Sequence, residues 1–272
     1  MVENATTKIL TIGLSGPSSG GKTTVSRYLK SILPNSTIVH QDDFYRPEAE
    51  LPLDPKTGLA NWDSPEAIDF KALTMTLEHV KEHGRFPDGF DSLEEKNPIG
   101  SKETSSPVPQ EILDTLRKDI LAQIPENERD CTKFVILDGF ILYVDETLCK
   151  TLDIKFFLTA PYQILKERRE SRKGYATLEG YWEDPPGYFD DVVWPNYLVY
   201  NAPFVKLMEA IEAGHDTGVF DAPNSMRSDS MTTNIDIVSS GNATIHEMVE
   251  TVSRLLAKRL SQLTVSPETA NT

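Results

Sequence analysis

Short apolar runs punctuate the chain at 8–14, 36–40, 133–138, 153–159 and 234–239. Each is rich in apolar or β-branched residues, and helical patterns separate most of them. Such runs read as strands buried on both faces. Their alternation with helices predicts a parallel sheet covered on both sides. Ile112, Leu113, Leu116, Ile120 and Leu121 keep helical spacing, and so do Ile245, Met248, Val249, Val252, Leu255, Leu256 and Leu260. Core packing accounts for the second stripe. Ser64-Pro65-Glu66 combines an N-cap residue, a proline at N1 and an early acid, which predicts a helix from about 65 to 82. A further helix is expected over Pro161–Gly174.

Two stretches break the pattern. Residues 84–110 and 214–234 are rich in Pro, Gly, Ser or acids and read as surface insertions. The expected organisation is one domain over 1–263 with a flexible tail at 264–272. No apolar run reaches the ~18 residues of a membrane span. The N-terminus lacks the basic and apolar regions of a signal peptide. Cys131 and Cys149 fall in no redox or zinc spacing, so both read as packing residues of a cytoplasmic protein. A net charge of −15 argues against a nucleic-acid surface, and a monomer or small homo-oligomer is expected.

The first apolar run feeds directly into Gly16-Pro17-Ser18-Ser19-Gly20-Gly21-Lys22-Thr23, and Thr24 continues into a helical pattern. This is G-x-x-x-x-G-K-T in strand–loop–helix context, the arrangement that turns backbone N–H groups toward a phosphate chain. Lys22 is expected at the β/γ-phosphates and Thr23 on Mg²⁺. Asp42 and Asp43 follow the second strand, where a carboxylate can take a proton from an attacking hydroxyl; a plain turn role is the alternative. Asp138 ends the third strand as a Walker B acid would, although Asp-Gly is also common turn chemistry. Arg168 and Arg172 share one face of the expected 161–174 helix, and Arg169 with Lys173 forms an adjacent stripe. Such a stripe is either a solvated face or a lid that neutralises a transferring phosphoryl group. Trp62-Asp63 reads either as a staple and cap or as a stacking ring beside a diol-binding acid. His79 and His83 lack the acid placement of a metal-hydrolase motif.

Together, GKTT at 21–24, QDDFYRPE at 41–48, NWDSPEA at 61–67, ILDGFILY at 136–143, FLTAPY at 157–162, the basic segment 166–175 and DPPGYFDDVVWPNYL at 184–198 resemble the nicotinamide riboside kinases. These belong to the uridine kinase-like group of P-loop kinases. The resemblance implies a nucleoside-monophosphate-kinase-like P-loop fold, with a five-stranded parallel sheet and a helical lid over about 161–190. It also implies ATP as co-substrate, Mg²⁺, and nicotinamide riboside as the small-molecule acceptor, with nicotinic acid riboside as a further one. Residues from Gly16 to Thr24 would hold the triphosphate, with Arg168 and Arg172 facing it. Asn242, Ala243 and Thr244 would pass near adenine. Asp42 would take the proton of the ribose 5′-hydroxyl, and Thr23, Asp42 and Asp138 would serve the metal. Asp63 would bind the 2′ and 3′ hydroxyls. Asp43, Phe44 and Arg169 would lie at the riboside, and Tyr45, Trp62 and Tyr175 around its base. Asp138 stands where relatives often carry Glu. The rival readings are another small-molecule kinase of this fold, such as a uridine or cytidine kinase, and a nucleotide-binding regulatory module without turnover.

Overall fold

Apolar residues at successive strand positions are forced to opposite faces by the pleat, so a strand apolar throughout must be covered twice. This dictates the centre of the molecule. A computed structural model describes residues 7–96, 108–172, 174–177, 180–206, 234–239, 241 and 243–264. Strands β1 (Lys8–Ser15), β2 (Ser36–His40), β3 (Thr132–Asp138), β4 (Ile154–Thr159) and β7 (Ile235–Ser239) form one parallel sheet in the order β2-β3-β1-β4-β7. In β3, Phe134 and Ile136 join the core on one face, while Val135 and Leu137 join the core on the other.

The first face is covered by α1 (Lys22–Ile32), α4 (Gln110–Leu121) and the C-terminal α8 (Ile245–Thr264), which contributes Met248, Val249, Val252, Leu256 and Leu260. The second is covered by α2 (Phe70–His83), α5 (Glu146–Lys150) and α7 (Trp194–Tyr200). The turn α3 (Leu93–Lys96) lies between α2 and α4. After β4, α6 (Tyr162–Glu170) leads into a two-stranded antiparallel ribbon, β5 (Tyr175–Thr177) and β6 (Gly180–Trp182), then into a π-helical turn over Phe189–Val193. A third apolar cluster, including Trp62, Leu165, Tyr188 and Val192, packs this lid onto the loop before α2.

Two helix boundaries differ from expectation. Pro65–Ala67 forms only a short 3₁₀ turn, and the helix proper starts at Phe70, capped by Asp69 accepting from the Ala72 N–H at 3.0 Å. Between them, Ile68 is extended and bridges to Tyr45. That bridge fixes the loop carrying Trp62 and Asp63 beside the turn after β2. The helix expected to reach 174 stops at Glu170. Gly174 then adopts φ +122°, where a Cβ would meet the Trp182 carbonyl oxygen at 2.5 Å. Of the two expected insertions, residues 97–107 of the first and nearly all of 214–234 lie outside the described residues, as does the tail after Thr264. Among the described residues, no helix is long and apolar enough to cross a membrane.

Candidate active site

The carboxyl ends of β1, β2 and β3 open into one cavity, which the lid closes from the other side. β1 delivers the phosphate loop. Gly16 takes φ +142°, and a Cβ there would lie 2.0 Å from the Leu158 carbonyl oxygen, so only glycine lets the loop leave the sheet at this point. Gly21 enters α1 at φ 88° with no side-chain cap, leaving the first helical N–H groups directed at the cavity. Lys22 is buried, its Nζ donating to the Pro17 carbonyl at 2.9 Å. Its pKa is lowered by burial, against which the charges of Asp138 and Asp42 work.

β2 ends in the 3₁₀ turn Gln41–Phe44. This turn divides its side chains between tasks. Gln41 Oε1 accepts the Ile141 N–H at 3.1 Å and ties the turn to the loop after β3. Asp42 opens into the cavity. Burial, then the charges of Glu94 and Asp138, push its carboxyl up to about 7, while Lys22 and His40 pull the other way. Cavity water reaches Asp42 and screens that rise; exclusion of water restores it. At the end of β3, Asp138 Oδ2 lies 3.3 Å from His40 Nδ1, both side chains buried. Burial works to raise the Asp138 carboxyl, yet the His40 contact and the Lys22 charge hold it below the ordinary value. Burial is the largest influence on His40 and opposes its charge, but the bond to and charge of Asp138, with the charges of Glu94 and Asp43, together outweigh it and raise the imidazole. Asp138 Oδ1 is buried with no protein partner.

At the far end of the cavity, Asp63 is buried; its Oδ2 accepts no hydrogen bond and is ion-paired with Arg169 Nη2 at 3.6 Å. Burial raises its carboxyl and Arg169 moderates the rise. Arg169 donates Nε and Nη2 to Asp184 at 2.6 and 3.1 Å, and Nη1 to Ser18 Oγ at 2.7 Å. One guanidinium thus joins the lid, the phosphate loop and Asp63. Aromatic rings wall this end: Trp62 meets Tyr45 edge-on at 5.3 Å and Trp182 at 5.6 Å, and Tyr45 lies near-parallel to Phe140 at 6.0 Å. Tyr188 Oη accepts the Trp62 N–H at 3.2 Å and donates to the Ala60 carbonyl at 2.7 Å, fixing the wall from behind. The cavity therefore has one end formed by the phosphate loop and another carrying a carboxylate and aromatic rings, with Asp42 facing the same space.

Among curated proteins, the nicotinamide riboside kinase of Saccharomyces cerevisiae is 37% identical over 195 residues, 72% of this chain and 78% of its own. That of Schizosaccharomyces pombe is 38% identical over 193 residues, covering 71% and 79%. Nicotinamide riboside kinase 1 of Homo sapiens is 30% identical over 193 residues, covering 71% and 77%. The chain belongs to the nicotinamide riboside kinases. No family model matches it.

For a nicotinamide riboside kinase, the cavity gathers most of the residues expected at its site: Ser18, Ser19, Lys22, Thr23, Asp42, Asp43, Tyr45, Trp62, Asp63, Asp138, Arg169 and Arg172. Others sit elsewhere. Phe44, expected at the riboside, is buried in the core and stacks on Phe90 at 5.8 Å. Arg168 does not line the cavity. Because α6 ends at Glu170, the helical register that would align it with Arg172 is not continued, and Arg172 reaches the cavity beside Arg169 instead. Ala243 packs on the core, and Thr244 forms a capping box with Glu247. Asn242 and the side chain of Tyr175 lie outside the described residues, although Tyr175 contributes backbone to β5. Sequence reasoning missed Phe140, Trp182, Leu93 and Glu94, which line the cavity too. Trp182 carried one faint signal, an acid two residues on: Asp184 accepts its indole N–H at 2.9 Å.

Proposed function

We propose that this kinase transfers the γ-phosphoryl group of ATP to the ribose 5′-hydroxyl of nicotinamide riboside, giving nicotinamide mononucleotide and ADP, and accepts nicotinic acid riboside in the same way. The observation that carries the reading is the shared cavity: a phosphate loop at one end, a buried Asp63 whose Oδ2 accepts no hydrogen bond amid aromatic rings at the other, and Asp42 lining the same space.

Each part has a physical task. The N–H groups at the start of α1 and the Lys22 ammonium neutralise the triphosphate. Asp42 accepts the proton of the 5′-hydroxyl, and an elevated carboxyl suits that role near neutral pH. Asp63 Oδ2 accepts from the ribose diol, which supplies the hydrogen bond that this buried oxygen lacks in the protein. Tyr45, Trp62 and Trp182 present π-faces to a pyridinium cation, an attraction of about 2 kcal/mol once water is excluded. Arg172, on the lid, balances charge spreading over the transferring group.

The donor set fits Mg²⁺. Asp138 Oδ1 is a buried carboxylate oxygen without a partner, and Thr23 and Asp42 line the same space. Among the described residues no three acidic, His or Cys groups converge as a ready metal cage. That suits an ion held by one or two carboxylates together with substrate phosphates. Thr23, Asp42 and Asp138 would hold it, and it would neutralise the β- and γ-phosphate oxygens.

The test is an ADP-release assay with nicotinamide riboside, nicotinic acid riboside and uridine. Turnover should be strongest with the pyridine ribosides, and absence of ADP with either would sink the reading. Asp42→Asn should lower kcat by about 10²–10⁴-fold while ATP still binds. Unchanged turnover would remove Asp42 as the base.

A further inference from the structure

Residues 84–96 leave α2 and fold back onto the cavity as a strap. Asp43 Oδ1 accepts the N–H groups of Leu93 and Glu94 at 2.8 and 2.9 Å, capping α3. Phe44 stacks on Phe90, which stacks on Phe86 at 4.6 Å. Arg27, on α1, pairs with Glu94 at 3.8 Å. On its other side α3 lies against β5 of the lid. The turn after β2 is thus a mount: two consecutive residues, Asp43 and Phe44, hold the strap while Asp42 faces the cavity.

The strap closes the cavity with Leu93 and Glu94. Glu94 lines the same cavity as Tyr45, Trp62 and Trp182, and α3 lies against β5, whose partner strand carries Trp182. The Glu94 side chain is 15% exposed, so solvent screens it little.

Resting on the riboside-kinase reading, we propose that the strap is an acceptor-specificity element. Asp43 positions it, and the Glu94 carboxylate favours an acceptor with a cationic base over an uncharged one of the same shape. A carboxylate in a partly desolvated pocket attracts a positive ring over several ångströms and gives a neutral ring nothing comparable.

The experiment compares nicotinamide riboside with its reduced, uncharged dihydropyridine form. Binding is measured by calorimetry, and turnover of nicotinamide riboside is measured alongside. In Glu94→Gln, the affinity for the cationic riboside should fall about 5–10-fold, that for the neutral form less than about 2-fold, and the KM for ATP should hold. Asp43→Ala should weaken riboside binding and speed tryptic cleavage after Arg85. Asp43→Asn keeps an oxygen for the cap and should restore both. Equal losses for the two ribosides, no loss for either, or a change confined to ATP would each overturn the proposal. Wild-type protein that binds the ribosides yet releases no ADP would overturn the kinase reading instead, and the binding comparison would still decide on Glu94.

Discussion

Gly16 shows how a single position carries both fold and site. Its left-handed φ and the 2.0 Å approach of a hypothetical Cβ to the Leu158 carbonyl mean that β4 and the phosphate loop share one contact. Gly16→Ala should cost about 3 kcal/mol through overpacking and backbone strain, read as a lowered midpoint in denaturant, and nucleotide affinity should fall with it. Residues of this kind were legible from the sequence because the motif itself states the geometry. Lys22, Thr23 and Asp42 belong with them. Trp182 and Phe140 do not, because no periodicity places them. Trp182 reaches the cavity through a short ribbon whose pairing depends on Gly174 and Gly180 at φ +122° and +139°. The separate roles of Asp42, Asp43 and Phe44 were also hidden, since a 3₁₀ turn sends neighbouring side chains in different directions.

At the scale of elements, the buried strands were found within a residue of their observed ends, since an apolar run bounded by polar residues leaves little freedom. Helix starts were less legible. Ser64-Pro65 has the composition of an N-terminus, yet Asp69 takes the cap because the Tyr45–Ile68 bridge keeps the intervening backbone extended. The start of α8 shows the opposite case, a complete box: Thr244 N–H and Oγ1 donate to Glu247 Oε2 at 2.7 and 2.9 Å, and Thr244 Oγ1 accepts the Glu247 N–H at 3.2 Å. Thr244→Ala should cost about 1 kcal/mol, a fall in Tm of about 2–4 °C. The bonds from Thr244 hold the Glu247 carboxyl below its ordinary value. A depressed carboxyl stabilises the fold above its unfolded pKa and loses that contribution as pH falls through the folded one. The Tm gap between wild type and Thr244→Ala should therefore be full at neutral pH and narrow in acid, as thermal melts across a pH series would reveal.

For the whole molecule, the lid and the loop before α2 border one cavity whose ends carry different side chains, so ligand bound there should stabilise this arrangement. Magnesium ATP at about a hundred times its Kd should raise stability by about 2.7 kcal/mol, measured as a thermal shift. Lys22→Ala should abolish most of that shift, and a full shift in the variant would remove Lys22 from the triphosphate. The layered architecture behind this was readable from strand–helix alternation. The lid's register was not, because its helix ends early and a ribbon follows. Arg169 then has a consequence for diversification. Its guanidinium serves Ser18, Asp184 and Asp63 at once, a fork that a lysine's point charge cannot reproduce. A lineage drifting toward a new acceptor cannot explore substitutions at that position without also disturbing the nucleotide end. New substrate preferences must accumulate in peripheral walls, where a change touches one ligand alone.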